Sequence, residues 1–440
     1  LPELSYGRAL AILDGRGFGI RADLGRIADL VSLLDDPQLS YPAVHLAGTN
    51  GKTTTARMIS AILVAHGISC GTYTSPHLQT VRERFAYAGP SDEGLAADII
   101  SKEDFASTLG YLMPFVEMVE GRRNEAVTYF ELTTALAFEW MNQKTVGAGV
   151  FEAGMGGAWD ATNVVRPSVA VLTHIEVDHT EFLGPTPLDN AREKAGIIKP
   201  GAEVVQATQR PEVAELIAAK VKEAGANLAT MGRDFDLTAD RRAVGGRAIE
   251  VRGINASYDE VFVPLHGSHQ SVNATIAVAA CESFLGRKLD DDALRAGLAV
   301  VKSPGRMETV GTNPRTVLDG AHNPDAARAL ATALRETFAD REFLFVVSVL
   351  ADKDIDGILG ALMPLASKVF FAPNSSPRSA TARELAAHLA ARDVEHDTAG
   401  SVADAVDAAV AGAGAGELIV VTGSLYAVGE ARDHLLGPIE

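Results

Sequence analysis

Gly48-Thr49-Asn50-Gly51-Lys52-Thr53-Thr54 puts two glycines, a lysine and three hydroxyl side chains into seven residues. Glycines let backbone N–H groups converge on an anion. A helix starting at this point adds its partial positive charge. Lys52 can neutralise phosphate oxygens, and a threonine hydroxyl can reach Mg²⁺. The apolar run Ala43–Gly48 (AVHLAG) precedes the loop. An amphipathic run, Thr54–His66, follows it, with Met58, Ile59, Ile62 and Leu63 on one face and Gly67 as a stop. The common spelling GxxxxGK[ST] would need glycine where Leu46 stands, so this loop is a shorter one. Strand, loop, Lys-Thr and helix in that order read as a phosphate loop rather than as a glycine-rich turn. Whether Thr53 or Thr54 would face a metal stays open.

Ser75, Glu152 and His179 offer a hydroxyl, a carboxylate and an imidazole at the ends of three separate apolar runs. Open α/β sheets bind ligands at such ends. Mg²⁺ takes few protein ligands and keeps waters and substrate phosphates. Singly, each has an ordinary reading: a carboxylate near a strand end is solvated or caps a helix, and a lone histidine sits in a core. Gly154-Met155-Gly156-Gly157 does not make a dinucleotide fingerprint, because the third glycine would fall at Trp159. Further along, Asn273 stands in a helix-start cluster, and Pro304-Gly305-Arg306 offers a planar guanidinium suited to phosphate. Asp319-Gly320-Ala321-His322-Asn323-Pro324 again follows an apolar run and opens a helix.

Positioning these residues requires alternating strands and helices. Apolar runs at Ala148–Gly154, Ser168–His174, Glu203–Ala207, Thr316–Gly320, Glu342–Leu350, Lys368–Pro373 and Glu417–Ser424 read as strands covered on both faces. The fold class is α/β with mostly parallel sheet. Residues 235–265 interrupt it with short β-rich pieces, read as a small antiparallel excursion. At 440 residues two domains are expected: 1–300, a linker at 301–307, and 308–440 as a Rossmann-like α/β unit. The net charge of −18 argues against a nucleic-acid or anionic-membrane surface. No run reaches ~18 apolar residues. The first residues do not spell a signal peptide, so a cytoplasmic protein is expected. Cys70 and Cys281 read as reduced, buried thiols.

The stretches TSPHL, TYFE, EAGMGGAWDATN, DHTEFLG and EKAGIIK follow one another in an order that resembles the folylpolyglutamate and dihydrofolate synthases of the Mur ligase superfamily. Gly423-Ser424-Leu425-Tyr426 extends the likeness to the end of the chain. The resemblance implies an N-terminal P-loop ATPase-like domain and a C-terminal glutamate-ligase domain. It implies ATP on Gly48–Thr54, Asn273, Arg306, Asp319 and His322, and two Mg²⁺ on Ser75, Glu152, His179 and a carbamylated Lys194. Lys52, Glu152, His179, Lys194, Asp319 and His322 would carry the catalysis. The substrate would meet Arg21, Ala22, Asp23, Arg84, Thr128, Tyr129, Phe130, Glu131, Trp159, Asp160 and Ala161, with Ser424 and Tyr426 on L-glutamate. The implied activity joins L-glutamate to dihydropteroate or a reduced folate through an acyl phosphate, in a monomer. Two departures stand out. Gly157-Ala158-Trp159-Asp160 replaces the frequent Gly-Arg-Leu-Asp, and Glu176 takes a place that is usually small.

The nearest alternative is a ligase acting on a cell-wall precursor. TYFE, EKAGIIK and GSLYAVGE are features of the folate branch and favour that reading. A nucleotide-dependent switch would leave Asp319, His322 and the second domain without a task.

Overall fold

Three sheets organise the residues that the computed structural model describes: 4–17, 19, 22–90, 95–311, 314–339, 341–389, 392, 394–414 and 416–439. The first sheet has eight strands: β1 (Ala43–Ala47), β2 (Cys70–Tyr73), β3 (Phe85–Ala88), β4 (Asp98–Ile99), β5 (Ala148–Glu152), β6 (Pro167–Leu172), β7 (Glu203–Gln206) and β8 (Asn227–Thr230). Their order is β4-β3-β2-β5-β1-β6-β7-β8. β3 and β4 pair antiparallel at one edge, and the other strands run parallel.

Every residue of β1 is buried. Successive side chains alternate between faces. Val44 and Leu46 pack with the helices Lys52–Ala65 and Ser268–Leu285, while Ala43 faces the helices Lys102–Arg123 and Tyr129–Gln143. Cover on both faces accounts for the strands' continuous apolarity. The helix Ser268–Leu285 is itself buried from Asn273 through Glu282. Its apolar run wraps all round the helix, so it has no face to give to water.

β9 (Asp236–Ala243), β10 (Gly246–Arg252) and β11 (Ser257–Val263) form an antiparallel sheet in the order β11-β10-β9. Ile249, Val251, Tyr258, Val261 and Val263 seat it on the core of the helix Ser268–Leu285. The third sheet holds β12 (Glu308–Val310), β13 (Arg315–Leu318), β14 (Phe343–Val347), β15 (Ala366–Phe371), β16 (Glu395–Thr398) and β17 (Leu418–Thr422). Its order is β12-β13-β17-β14-β15-β16, parallel except for β12. Phe343, Phe345 and Val347 of β14 enter one core, and Leu344 and Val346 the other. β16 is exposed along its whole length. Lys368 of β15 pairs there with Glu395 at 2.7 Å and Asp397 at 2.8 Å.

The α/β class, the parallel sheets and the antiparallel excursion are as expected. The strands end short of their apolar runs, however. β1 stops at Ala47 rather than Gly48, β5 at Glu152 rather than Gly154, β6 at Leu172 rather than His174, and β17 at Thr422 rather than Ser424. Residues past these ends, such as Ala153, Thr173 and Ser424, stay buried where the loops turn over the sheet edge. Apolarity therefore outlasts the hydrogen-bonded ladder. Between the helix Asp291–Ala299 and β12, residues 300–307 run as coil and turns.

The excursion is tied down by one buried carboxylate. Glu282 accepts hydrogen bonds from Tyr258 Oη at 2.7 Å, Ile254 N at 2.5 Å and Asn255 N at 3.2 Å, and burial pushes its pKa up. Tyr258 Oη in turn accepts from Leu289 N at 2.8 Å. Tyr258→Phe leaves that N–H unpaired and takes a donor from Glu282, so it should lower the unfolding free energy by about 1–3 kcal/mol in urea titrations.

Candidate active site

The carboxyl-terminal ends of β1, β5, β6 and β7 face those of β13 and β17 across a cleft that holds a cavity of about 480 Å³. Gly48–Thr54 line it. Gly51, at φ +87°, turns the chain into the helix Lys52–Ala65, and a Cβ there would overlap the Asn273 side-chain amide. Lys52 Nζ donates to Gly48 O at 3.0 Å and Thr49 O at 3.3 Å. Thr173 Oγ1 donates to Asn50 O at 2.8 Å, bracing the loop from β6.

Thr53, not Thr54, faces the carboxylate at the end of β5. Thr53 Oγ1 lies 3.0 and 2.8 Å from the two oxygens of Glu152, and Ser75 N donates to Glu152 Oε2 at 3.2 Å. Thr54 Oγ1 instead meets Ser303 Oγ at 2.9 Å. Burial raises the Glu152 pKa, opposed by Lys52, Thr53, Ser75 and Arg306. Glu176 also gains an account. Its backbone brackets Thr49 Oγ1, which donates to Glu176 O at 2.8 Å and accepts from Glu176 N at 3.0 Å. Its carboxylate pairs with Arg210 at 2.8 Å.

His179 and Lys194 line the same cavity. Burial pushes His179 down to about 3, helped by Lys353, His322 and Lys194 against the pull of Asp178. Burial, followed by the Lys52 charge, brings Lys194 down to about 7, and its Nζ donates to Asn190 Oδ1 at 3.2 Å. Among the described residues no three His, Cys, Asp or Glu side chains gather as a metal cage. The donors present are a buried carboxylate, a neutral imidazole, hydroxyls and a neutral-leaning amine. They fit a hard cation that draws its remaining oxygens from substrate and water.

Asp178, which follows β6, gathers groups from the facing side. Lys353 Nζ lies 2.5 Å from Oδ1, His322 Nε2 3.6 Å from Oδ2, and Asn323 Nδ2 3.5 Å from Oδ2. Burial would raise its pKa, but His322, His179 and Lys353 hold it well below the usual carboxylate range. Asn50 crosses the cleft too, donating to Asp325 Oδ2 at 3.0 Å and accepting from Asn323 Nδ2 at 3.2 Å. Neither Lys353 nor this use of Asp178 was expected. The acid-Lys-acid run Asp352-Lys353-Asp354 after β14 was the available signal. The apolar end of the cavity, with Met231, Val272, Ile276, Ala329 and Leu330, carried no sequence signal.

Arg306, Asn273, Asp319 and His322 line the same cavity. Both oxygens of Asp319 are already committed, to Met307 N and Ala321 N at 2.9 Å each, so its carboxylate ties the stretch before β12 to the end of β13. His322 Nδ1 donates to Gly320 O at 2.8 Å. Several expected substrate residues turn out to cap helices. Thr128 and Glu131 form a capping box for the helix Tyr129–Gln143, and Glu131 pairs with Arg26 at 3.0 Å. Asp160 accepts from Met155 N and Thr162 N at 2.9 Å each. Ser424 accepts from Ala427 N at 3.1 Å and starts the last helix. Asp23 accepts from Gly25 N at 2.9 Å beside exposed Ala22, and Arg21 lies outside the described residues. Arg84 sits 5.3 Å from the Tyr129 ring centroid and donates to His77 Nδ1 at 3.0 Å. Phe130 packs on Tyr73 and Gly154, and Ala161 is buried. Trp159 lies against Gly156. Tyr426 is exposed.

The description "Mur ligase middle domain" matches residues 91–281, and "Mur ligase, glutamate ligase domain" matches residues 305–425. The chain is 41% identical over 394 residues to the dihydrofolate synthase/folylpolyglutamate synthase of Mycobacterium tuberculosis (strain ATCC 25618 / H37Rv), an overlap covering 85% of this chain and 79% of that one. It superposes on M. tuberculosis folylpolyglutamate synthase complexed with ADP with a TM-score of 0.91 at 38% identity, covering 98% of each chain. A complex named FPGS-AMPPCP-folate superposes with a TM-score of 0.86 at 30% identity, covering 99% of this chain and 100% of that one.

Removing Lys353 would take the shortest ion-pair partner from the buried Asp178 charge and leave it to His322, Asn323 and the His179 N–H. Lys353→Met should therefore destabilise by about 3 kcal/mol at neutral pH in urea titrations. Because the folded pKa of Asp178 is depressed, its contribution is full above the unfolded value and fades as pH falls. The gap between wild type and variant should be widest at neutral pH and should narrow as acidification protonates Asp178 in the variant before it does so in wild type.

Proposed function

Since the chain belongs to the folylpolyglutamate synthase and dihydrofolate synthase family of Mur ligases, we propose a two-step ligation in which one cleft holds ATP, the acceptor acid and L-glutamate. The enzyme is an ATP-dependent ligase that adds L-glutamate to folates. The observation that carries the residue assignment is the convergence of Gly48–Thr54, Glu152, Arg306 and His322 on one cavity.

ATP phosphates lie on the Gly48–Thr54 backbone and Lys52, and the base lies in the apolar end among Met231, Val272, Ile276 and Leu330. In the first step an oxygen of the acceptor carboxylate attacks the γ-phosphorus. The bond from that phosphorus to the β,γ-bridging oxygen breaks and ADP leaves. Lys52 and Arg306 hold the charge spread over the transferring oxygens, since phosphoryl transfer needs position and neutralisation more than covalent help. In the second step the glutamate amine attacks the acyl carbon, the carbon–oxygen bond breaks, phosphate leaves and the amine loses a proton. The acyl phosphate has to be kept from water, which is the task of a closed cleft.

Ser75, Glu152, His179 and Lys194 would hold Mg²⁺, which screens phosphate charge when bound. Thr53 orients the Glu152 carboxylate. The lowered pKa of Lys194 supports its reading as a carbamate, because only the neutral amine adds CO₂. We divide the chain into a nucleotide-binding part, 1–300, a linker, 301–307, and a glutamate-ligase part, 308–440. The reading is of a monomer acting in the cytoplasm. Among the described residues no helix is long and apolar enough to cross a membrane. Dihydropteroate and reduced folates are both proposed as acceptors.

ADP release with ATP, Mg²⁺ and L-glutamate should require dihydropteroate or a reduced folate and should ignore a cell-wall precursor. Turnover with that precursor alone would overturn the assignment. With ¹³C-labelled bicarbonate, one carbamate resonance should appear near neutral pH and weaken on acidification as the Lys194 amine protonates. Its persistence in Lys194→Met would refute the carbamate.

A further inference from the structure

The loop that carries Ser75 is gripped by the last helix of the chain. Downstream of Ser75, the loop's backbone N–H groups at Leu78, Gln79 and Thr80 all donate to the Glu83 carboxylate, at 3.3, 2.8 and 2.8 Å. Three bonds on one carboxylate make residues 78–83 a stiff ridge. That ridge meets the far side of the molecule closely. The helix Leu425–Leu436 places Gly429 so near Leu78 that a Cβ on Gly429 would overlap the Leu78 carbonyl oxygen. A Cβ on Gly305, in the coil before β12, would come within 3.2 Å of Leu78 Cδ1. Gln79 supplies the polar half of the contact. Its Nε2 donates to Asp433 Oδ1 at 2.7 Å and to Gly437 O at 3.0 Å, and its Oε1 accepts from Arg432 Nη1. Arg432 is held in turn by Glu308, the first residue of β12, at 3.1 Å. Back along the loop, Ser75 N donates to Glu152 at 3.2 Å. Leu425, at the start of the same helix, lines the main cavity.

We propose that Gln79 is a positioning residue for the ligation. The seat formed by Leu78 and Gln79 against Gly429, Arg432 and Asp433 sets where Ser75 stands beside Glu152, and it does so only when the 308–440 part is docked. The loop is therefore the mechanical link between closure and the Mg²⁺-binding side of the cleft. The inference rests on the reading of Ser75 as a Mg²⁺ ligand. A displacement of about 1 Å at a reacting group can cost on the order of a hundredfold in rate, so a seat this far from the phosphates can still govern turnover.

The test uses the full chain with ATP, an acceptor folate and L-glutamate, and reads kcat, KM for ATP and the Mg²⁺ concentration giving half-maximal ADP release. Thermal midpoints accompany each variant. Gln79→Ala removes the bonds, and Gly429→Ala forces the helix off Leu78 while leaving every bonding side chain in place. Both should lower kcat by about tenfold and raise the Mg²⁺ requirement in the same direction as Ser75→Ala. KM for ATP should stay near wild type in both, and so should the thermal midpoint of Gln79→Ala, whereas Gly429→Ala should lower its midpoint because its Cβ meets the Leu78 backbone. If Ser75→Ala shifts the Mg²⁺ requirement and both seat variants leave it alone, the proposal is wrong while the Ser75 reading stands. If Ser75→Ala leaves the Mg²⁺ requirement unmoved, the Ser75 reading fails and takes the proposal with it. A loss of kcat that tracks a fallen thermal midpoint in both seat variants would reduce the seat to a structural contact and overturn the proposal.

Discussion

Parallel strands deliver all their outgoing loops at one edge, and this constraint governs the molecule. Two mostly parallel sheets point their carboxyl-terminal edges at the same cleft. Lys52, Glu152 and His179 come off one edge, and His322 and Leu425 off the other. The antiparallel sheet β9–β11 stays outside this arrangement. Its Arg247 reaches the helix Pro324–Thr337 through Glu336 at 3.0 Å and braces the two halves from the side. With a net charge of −18, the chain concentrates its useful cations where the edges meet. Lys52 and Arg306 act on Glu152, and Lys353 acts on Asp178. That local field, rather than the total charge, is what an anionic substrate would encounter.

Desolvation sets the terms for each buried charge. Asp178 stays ionised because Lys353 pairs with it from across the cleft and His322 lies beside it. Lys194 and His179 are pushed toward their neutral forms because burial and neighbouring cations act together. The same cleft therefore keeps one acid charged, one imidazole neutral and one amine poised near neutrality, a separation that is useful to a ligase needing both fixed charges and free lone pairs.

Much of this was legible in the sequence. The phosphate loop combined a strand, glycines, Lys-Thr and a helix, so each signal supported the others. Parallel strands read clearly because both faces are covered. Legibility failed in two physical circumstances. Short edge strands such as β4 and β8 bury too little to leave a periodic trace, and β2 is broken by Gly71. Residue types also do not separate contact from capping. Thr128, Glu131, Asp160 and Ser424 stand in the most distinctive motifs, and their side chains are engaged at helix starts. Such motifs hold the backbone from which neighbouring residues reach the ligand. The Asp178–Lys353 pair joins positions 175 residues apart, and the local run Asp352-Lys353-Asp354 does not say which carboxylate its lysine meets.

The acidic outer strand β16 has one further consequence, for how the molecule behaves among its copies. A bare strand edge is a template for another chain, because its N–H and C=O groups lack partners. Here the last strand of the third sheet alternates Glu395 and Asp397 and draws Lys368 over the join. A second copy docking edge to edge would bring those carboxylates against their own duplicates. The third sheet therefore ends in an acidic border that disfavours edge-to-edge pairing with a second copy.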